Sequence, residues 1–339
     1  MKYFRISIIV TLIGFVSAYL FLGGLSALYV VILLFLLEVT LSFDNAVVNA
    51  KVLETMEPKW QQRFITYGIP VAVFGMRFLF PIVMVSFASH MVIENGGIGV
   101  WNTFQLAMYA PASYQDIFDK VHYIIYAFGG AFLLMVFLDF LFDSERDVKW
   151  IGFIENNAFI KKIATAEHTE TVIALAIGLT LVNNVDDSIG IGVALAYFTG
   201  IILHLVLITF DELLNSNGVR SGIVGLLYLE VLDASFSFDG VIGAFALSSN
   251  IFIIMIGLGI GAMFVRSLTL YMVEQKTLDA YRYLEHGAHY AILALAGIMF
   301  IKMFDIHINE ILVGTVGIFF VGMSVVHSII EERREQEKK

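Results

Sequence analysis

The chain has 339 residues, 59% of them hydrophobic and only 15% charged, with a formal net charge of −10. Soluble domains run nearer ~45–50% apolar and ~25% charged, so a mean hydropathy of +0.84 specifies a membrane protein and excludes a string of soluble domains. The lack of cysteine excludes disulfides, thiolate metal sites and cysteine redox chemistry, and the acidic balance argues against nucleic acid as a partner.

Apolar runs long enough to cross ~30 Å of hydrocarbon recur along the chain. They predict an all-α polytopic membrane helix bundle of about ten spans: 6–23, 25–50, 64–92, 120–142, 169–187, 189–209, 222–248, 251–273, 286–304 and 309–329. Lys2 and Arg5 before the run Ile6–Leu22 imitate a signal peptide. The length of the run, and the span that follows Gly23-Gly24 at once, read instead as a retained first helix. Asn183, Asn184, Asp186 and Asp187 interrupt spans five and six, which read either as two short crossings or as a re-entrant pair.

Lys and Arg set the orientation. With the N-terminus in the cytoplasm, 16 of the 20 Lys and Arg fall on that side and only Lys120 and Lys302 on the other, so both termini are expected inside. The largest external loop is then about 93–119, and the cytoplasmic loop 143–168 reads as amphipathic. The tail Glu331–Lys339 reads as a solvated helix end.

Spans two and seven carry nearly the same string. Residues 38–45 read Glu-Val-Thr-Leu-Ser-Phe-Asp-Asn and residues 233–240 read Asp-Ala-Ser-Phe-Ser-Phe-Asp-Gly. Each copy places an acid (Glu38, Asp233) six residues before a second acid (Asp44, Asp239). Carboxylates at bilayer depth are costly and are functional-site hypotheses by default. Five steps separate the two spans, so they run in opposite directions, as in an inverted-topology repeat with its site at the interface of the halves. The expected halves of the single transmembrane domain are 1–187 and 189–339, the second with the charged tail. The span after each motif carries one arginine, Arg77 and Arg266, expected to pair with the acids.

Six residues of unbroken α-helix turn ~600° and rise ~9 Å, so either the helix unwinds around Ser42–Asn45 or the two acids of one copy serve different sites. Ser, Asn, Asp and Gly all compete with helical backbone bonding, and a helix discontinuity is expected around both Asp44 and Asp239. Four converging carboxylates need protons, arginines or a cation. The donors are all oxygen, which suits hard ions such as Mg2+, Ca2+ and Mn2+.

Weaker candidates surround this centre. Asn183, Asn184, Asp186 and Asp187 read equally as pathway residues or as the external mouth. Asn49 lies one turn beyond Asn45; Asp139, Glu285 and His286 read as interfacial; no histidine pairing specifies zinc or haem. Gly257, Gly259 and Gly261 read as a close helix contact.

The motifs Glu38-x-x-Leu-Ser-Phe-Asp-Asn and Asp233-x-x-Phe-Ser-Phe-Asp-Gly resemble the TerC family of bacterial integral membrane proteins, within the lysine-exporter-type superfamily. Arg266 and Tyr283-Leu-Glu-His-Gly-Ala strengthen the likeness, which is best over 30–85 and 225–305. Residues 143–212 depart from the family's better-known exporters. The family takes its name from tellurium resistance, and several members are linked to manganese export. The resemblance implies a multi-pass protein of the bacterial plasma membrane that exports a divalent cation, Mn2+ first, with no tightly bound cofactor. Glu38, Asp44, Asn45, Asp233 and Asp239 are then the implied ion ligands, Asp44 and Asp239 foremost, with Arg77 and Arg266 pairing charge. Gly240 stands where the first copy has Asn45, so the ligand set is asymmetric. The rival expectation is a non-transporting membrane scaffold or stress-resistance protein. A membrane enzyme lacks a nucleophile–base set, and buried acids fit tellurite poorly. A homo-oligomer or a membrane partner is left open.

Overall fold

The computed structural model describes residues 3–92, 96–143, 146–163, 166, 168–214, 222–248 and 250–337, and among them every regular element is a helix. In chain order these are α1 (Arg5–Ser17), a π-helical turn (Ala18–Gly23), α2 (Gly24–Leu41), α3 (Phe43–Glu54), α4 (Pro58–Pro70) and a second π-helical stretch (Val71–Leu79). There follow α5 (Phe80–Val92), α6 (Val100–Tyr109), α7 (Pro111–Phe142), α8 (Gly152–Glu155), α9 (Ala158–Ile163), α10 (Thr169–Asn183) and α11 (Asp187–Leu214). The chain ends with α12 (Gly222–Leu247), α13 (Ile251–Glu274), α14 (Thr277–Ala280), α15 (Leu284–Met303) and α16 (Glu310–Glu337).

Seven helical segments among the described residues are long and apolar enough to cross a membrane: Arg5–Leu41, Phe74–Val92, Pro111–Phe142, Asp187–Phe210, Ile251–Glu274, Leu284–Met303 and Leu312–Glu337. The protein is a helical membrane protein. The count differs from the expected ten for identifiable reasons. Helix α10 is apolar but only 15 residues long. Helix α12, with its acids Glu230, Asp233 and Asp239, is not among the seven. Arg5–Leu41 is not straight: Gly23 (φ +140°) and Gly24 (φ +69°) take backbone conformations closed to other residues, and the chain folds back there. The ring of Phe15 consequently lies 6.2 Å from that of Phe35, where a continuous helix would hold them ~30 Å apart.

Helix α7 is the axis of the bundle. From Val121 to Phe140 it is almost wholly apolar and buried, the pattern of a central helix, with α11 and α15 packed along it. Helix α13 lies parallel to α2 at very short range. An added Cβ at Gly257 would stand 2.5 Å from Leu34 Cβ, and one at Gly261 would stand 2.5 Å from Glu38 Cβ and Cγ. Only glycine permits this approach, as expected of the glycine run, and it seats Glu38 in the interior.

Both regions read as loops contain helices. The region 93–119 contains α6 and the first turns of α7, with Ser86 and Ser89 hydroxyls holding Ile98 O and N at 2.6 and 2.7 Å. The loop after α7 docks through one carboxylate. Glu155 is buried and accepts from Arg146 (3.1 Å), Tyr290 (3.1 Å) and the backbone N–H groups of Trp150 and Ile151. His286, expected at an interface, is buried against it, its Nε2 3.5 Å from Glu155 and 3.0 Å from Val148 O. A chain that tucks an acid under the bundle must supply these partners, because an unpaired buried charge is costly. Glu285 does remain part-exposed and pairs with Lys51 at 2.9 Å.

Candidate functional site: a buried acid–arginine chain

The first motif copy forms the junction of α2 and α3. Ser42 breaks the α-helical geometry (φ −104°, ψ 14°), and its hydroxyl donates to Glu38 Oε1 at 2.9 Å. The break is a kink of one residue. Backbone bonds flank it, Ser42 N donating to Glu38 O (2.9 Å) and Ala46 N to Ser42 O (3.1 Å). The second copy differs from expectation: α12 runs unbroken through Asp239. The discontinuity expected there is corrected, since Gly240 packs against the first copy as a plain helical contact.

The two copies do pack antiparallel. An added Cβ at Gly240 would lie 3.1 Å from Glu38 Oε2 and 3.8 Å from Leu41 Cδ1, while Asn45 Nδ2 donates to Asp233 Oδ1 at 2.5 Å. Numbers thus rise along α2–α3 as they fall along α12, matching the opposed directions read from the charge tally.

Arg77 joins the copies. It sits in the π-helical stretch Val71–Leu79, and the wide turns of π-helix are frequent at functional sites. Its Nη2 donates to Glu38 Oε1 and its Nη1 to Asp233 Oδ2 (3.0 Å). Arg266 lies 3.5 Å from Asp233 Oδ2 on the other side. It donates to both oxygens of Glu230 at 3.0 and 3.1 Å and to Phe64 O at 3.3 Å, with its guanidinium over the Phe64 ring. The result is one alternating chain, Glu38–Arg77–Asp233–Arg266–Glu230, buried except for part of Glu230. Three acids and two arginines leave one net negative charge. The expected charge pairing by Arg77 and Arg266 is present, but it is not two-fold: Arg77 spans both copies, whereas Arg266 reaches only acids of α12.

Glu230 was missed in the sequence. The signal was there, since Glu230 and Asp233 lie three residues apart and share a helix face.

Asp44 does not join this chain. Its carboxyl is buried and faces α15 and α16, beside Leu41, Ala291, Leu295, Val313, Val316 and Gly317. Of the two alternatives, a shared ion after unwinding or separate sites, this placement fits separate sites for Glu38 and Asp44. The side chain of Asp239 lies outside the described residues. Asn183, Asn184, Asp186 and Asp187 are exposed in the α10–α11 turn. There Asn184 donates to Thr180 O (2.8 Å), and Asp186 caps α11 by accepting from Ser188 N (2.9 Å) and Oγ (2.7 Å), a role that needs no transport pathway.

Four buried oxygens on α2 and α3 have no hydrogen-bond partner in the structure: Glu38 Oε2, Asp44 Oδ1 and Asn45 Oδ1 of the first copy, and Asn49 Oδ1 one turn beyond it. Buried polar groups are almost always satisfied, so four orphaned acceptors on one helical strand are acceptors in wait of a donor or a cation. Among the described residues no group of three or more His, Asp or Glu is assembled to hold a metal, because the arginines occupy the carboxylates.

Fold and site together define an all-helical membrane protein with a buried, arginine-neutralised acidic centre between two antiparallel copies of one motif. The chain belongs to the DUF475 family, described as a protein of unknown function, whose family model matches residues 43–335. The match covers α3 onward and begins just after Ser42. No curated protein matches the chain, and no solved structure does.

Proposed function

We propose that this protein is a secondary transporter that exports a divalent metal cation, with Mn2+ first among the candidates. The observation that carries this reading is Arg77 bridging Glu38 and Asp233, two acids on antiparallel copies of one motif at apolar depth, with unsatisfied oxygens beside them. Such an arrangement suits a carrier. A dication and the guanidinium compete for the same two carboxylates, so loading and release become an exchange of partners rather than the creation of a bare buried charge. Oxygen-only donors favour hard cations. Glu38 and Asp233, with Asn45 between them, become the foremost ligands in this reading, ahead of Asp44. Asp239 stays a proposed ligand on its sequence position alone. The resemblance to the TerC family supports Mn2+ and the bacterial plasma membrane, and the Lys and Arg tally supports cytoplasmic termini. An ion or proton gradient would drive the cycle by alternating access.

A second reading, a scaffold or stress-resistance protein that transports nothing, is favoured by the completeness of the arginine pairing. Metal content of cells under manganese load separates the two. Wild type lowers intracellular Mn2+, and Glu38→Gln and Asp233→Asn, confirmed to reach the membrane, do not. Unchanged Mn2+ with wild type removes the proposed substrate. Variants that export as well as wild type remove the proposed site.

A further inference from the structure

Away from the arginine chain, a second ionisable cluster crosses the bundle between α7, α10 and α11. His204 of α11 is completely buried, and neither ring nitrogen has a hydrogen-bond partner. The polar group beside it is Asp139 of α7, whose Oδ2 lies 3.4 Å from His204 Nε2, while the Phe132 ring closes the site edge-on at 5.4 Å. Asp139 keeps about a third of its side chain open, at 30% exposure. Glu170, in the first turn of α10 and half-buried, acts on Asp139 electrostatically. The part-exposed Asp139 and the enclosed His204 therefore connect the surface to a buried imidazole.

Among the described residues, the charged and titratable groups on the other elements beside His204 have partners of their own. On α12 the acids Glu230 and Asp233 are held by Arg266 and Arg77. On α5 the titratable group is His90, whose Nδ1 meets Ser86 O. It lies beside Met91, which faces Gly192, twelve residues or ~18 Å along α11 from His204. Phe140, next to Asp139, turns to the opposite side of α7, stacked on His289 at 3.8 Å with Arg146 over its other face.

A histidine buried for packing alone would hydrogen-bond at least one ring nitrogen. Chains of Asp, Glu and His within membrane helices mark proton relays, and histidine changes charge between about pH 5 and pH 8 when unperturbed. We infer that Asp139 and His204 form a proton-binding pair that supplies the counter-ion for the transport proposed above, on which that coupling role rests. A proton entering at the part-exposed Asp139 passes across 3.4 Å to His204 Nε2. The loaded state is an imidazolium–carboxylate pair, and the empty state is a neutral imidazole beside the acid.

The test uses the full chain in liposomes with an enclosed pH dye and an imposed Mn2+ gradient. Wild type couples Mn2+ movement to an opposite proton flux. His204→Gln and Asp139→Asn abolish that flux yet keep Mn2+-induced thermal stabilisation, which Glu38→Gln loses. Wild-type proton coupling in both His204→Gln and Asp139→Asn overturns the inference. Failure of wild type to move Mn2+ sinks the transport reading instead. The proton site is then decided by NMR titration of ring-labelled His204 in the wild-type protein, identified by its loss in His204→Gln. Protonation in the range above, displaced by Asp139→Asn, upholds the site; an imidazole that stays neutral to about pH 5 overturns it.

Discussion

Asn45 Nδ2 and Asp233 Oδ1 meet at 2.5 Å although 188 residues separate them in the chain. Asp233 also takes a hydrogen bond from Arg77, so both its oxygens are occupied from the first half of the molecule. Asn45→Asp replaces a donor with a second acid. We expect it to lower thermal stability at neutral pH and to recover as pH falls toward the carboxylate range, since protonating one acid of the pair restores a donor. Asn45→Ala shows no such recovery. A melting series against pH checks both.

Arg77 neutralises two acids at once. Arg77→Met leaves Glu38 and Asp233 charged in the interior, a situation that costs about 3–5 kcal/mol, and we expect loss of monodisperse folded protein in detergent. Adding Glu38→Gln and Asp233→Asn to Arg77→Met removes the stranded charges and restores much of the folded yield. Equal yields from the single and triple variants would show that the ion pairs do not hold α2 to α12.

Glu230 is the outer member of the chain and is partly open, with 16% side-chain exposure against 6% for Asp233. Arg266 would keep Asp233, Phe64 O and the Phe64 ring after its loss. Glu230→Gln is expected to cost about 1 kcal/mol, and Asp233→Asn several times as much. Denaturation of the two variants in parallel measures the gradient.

Glycine at 261 is set by its neighbour. A methyl group there would collide with Glu38, and Gly261→Ala should destabilise by about 1–3 kcal/mol, the usual cost of overpacking. Gly297 in α15 is the control. A methyl group added at Gly297 would meet nothing within 4 Å, so Gly297→Ala should be neutral or stabilising by up to about 1 kcal/mol through helix propensity.

Glu155 provides a pH test outside the membrane segments. Burial alone would raise its pKa, but bonding to His286, the Ile151 N–H and the Arg146 charge override this and hold it at about 2. An unfolded glutamate titrates near ~4.3. The stabilisation is therefore fully present above the unfolded value and is lost as pH falls through the folded one. Hydrogen exchange at Trp150 and Ile151, whose N–H groups bond Glu155, should accelerate across that window. Glu155→Gln should show faster exchange already at neutral pH.

The helical membrane class and the doubled motif were legible because hydropathy and repetition are local properties. The opposed directions of the motif copies were legible too, since Lys and Arg record topology, and in the structure Glu38 faces Gly240 while Asn45 faces Asp233. The sequence by itself determined that Glu38, Asp44 and Asp233 lie at apolar depth with two arginines in neighbouring spans; the burial of Glu155 and the place of Glu230 it did not reveal. Only the tertiary structure decided how the arginines are shared. Beyond the kink at Ser42, Asp44 turns toward α15 and α16 and away from Glu38, whereas packing of α13 on α2 through Gly257 and Gly261 seats Glu38 beside the arginine chain. The neighbour a side chain faces and glycine-permitted approach are properties of pairs of helices, and no single stretch of the chain carries them.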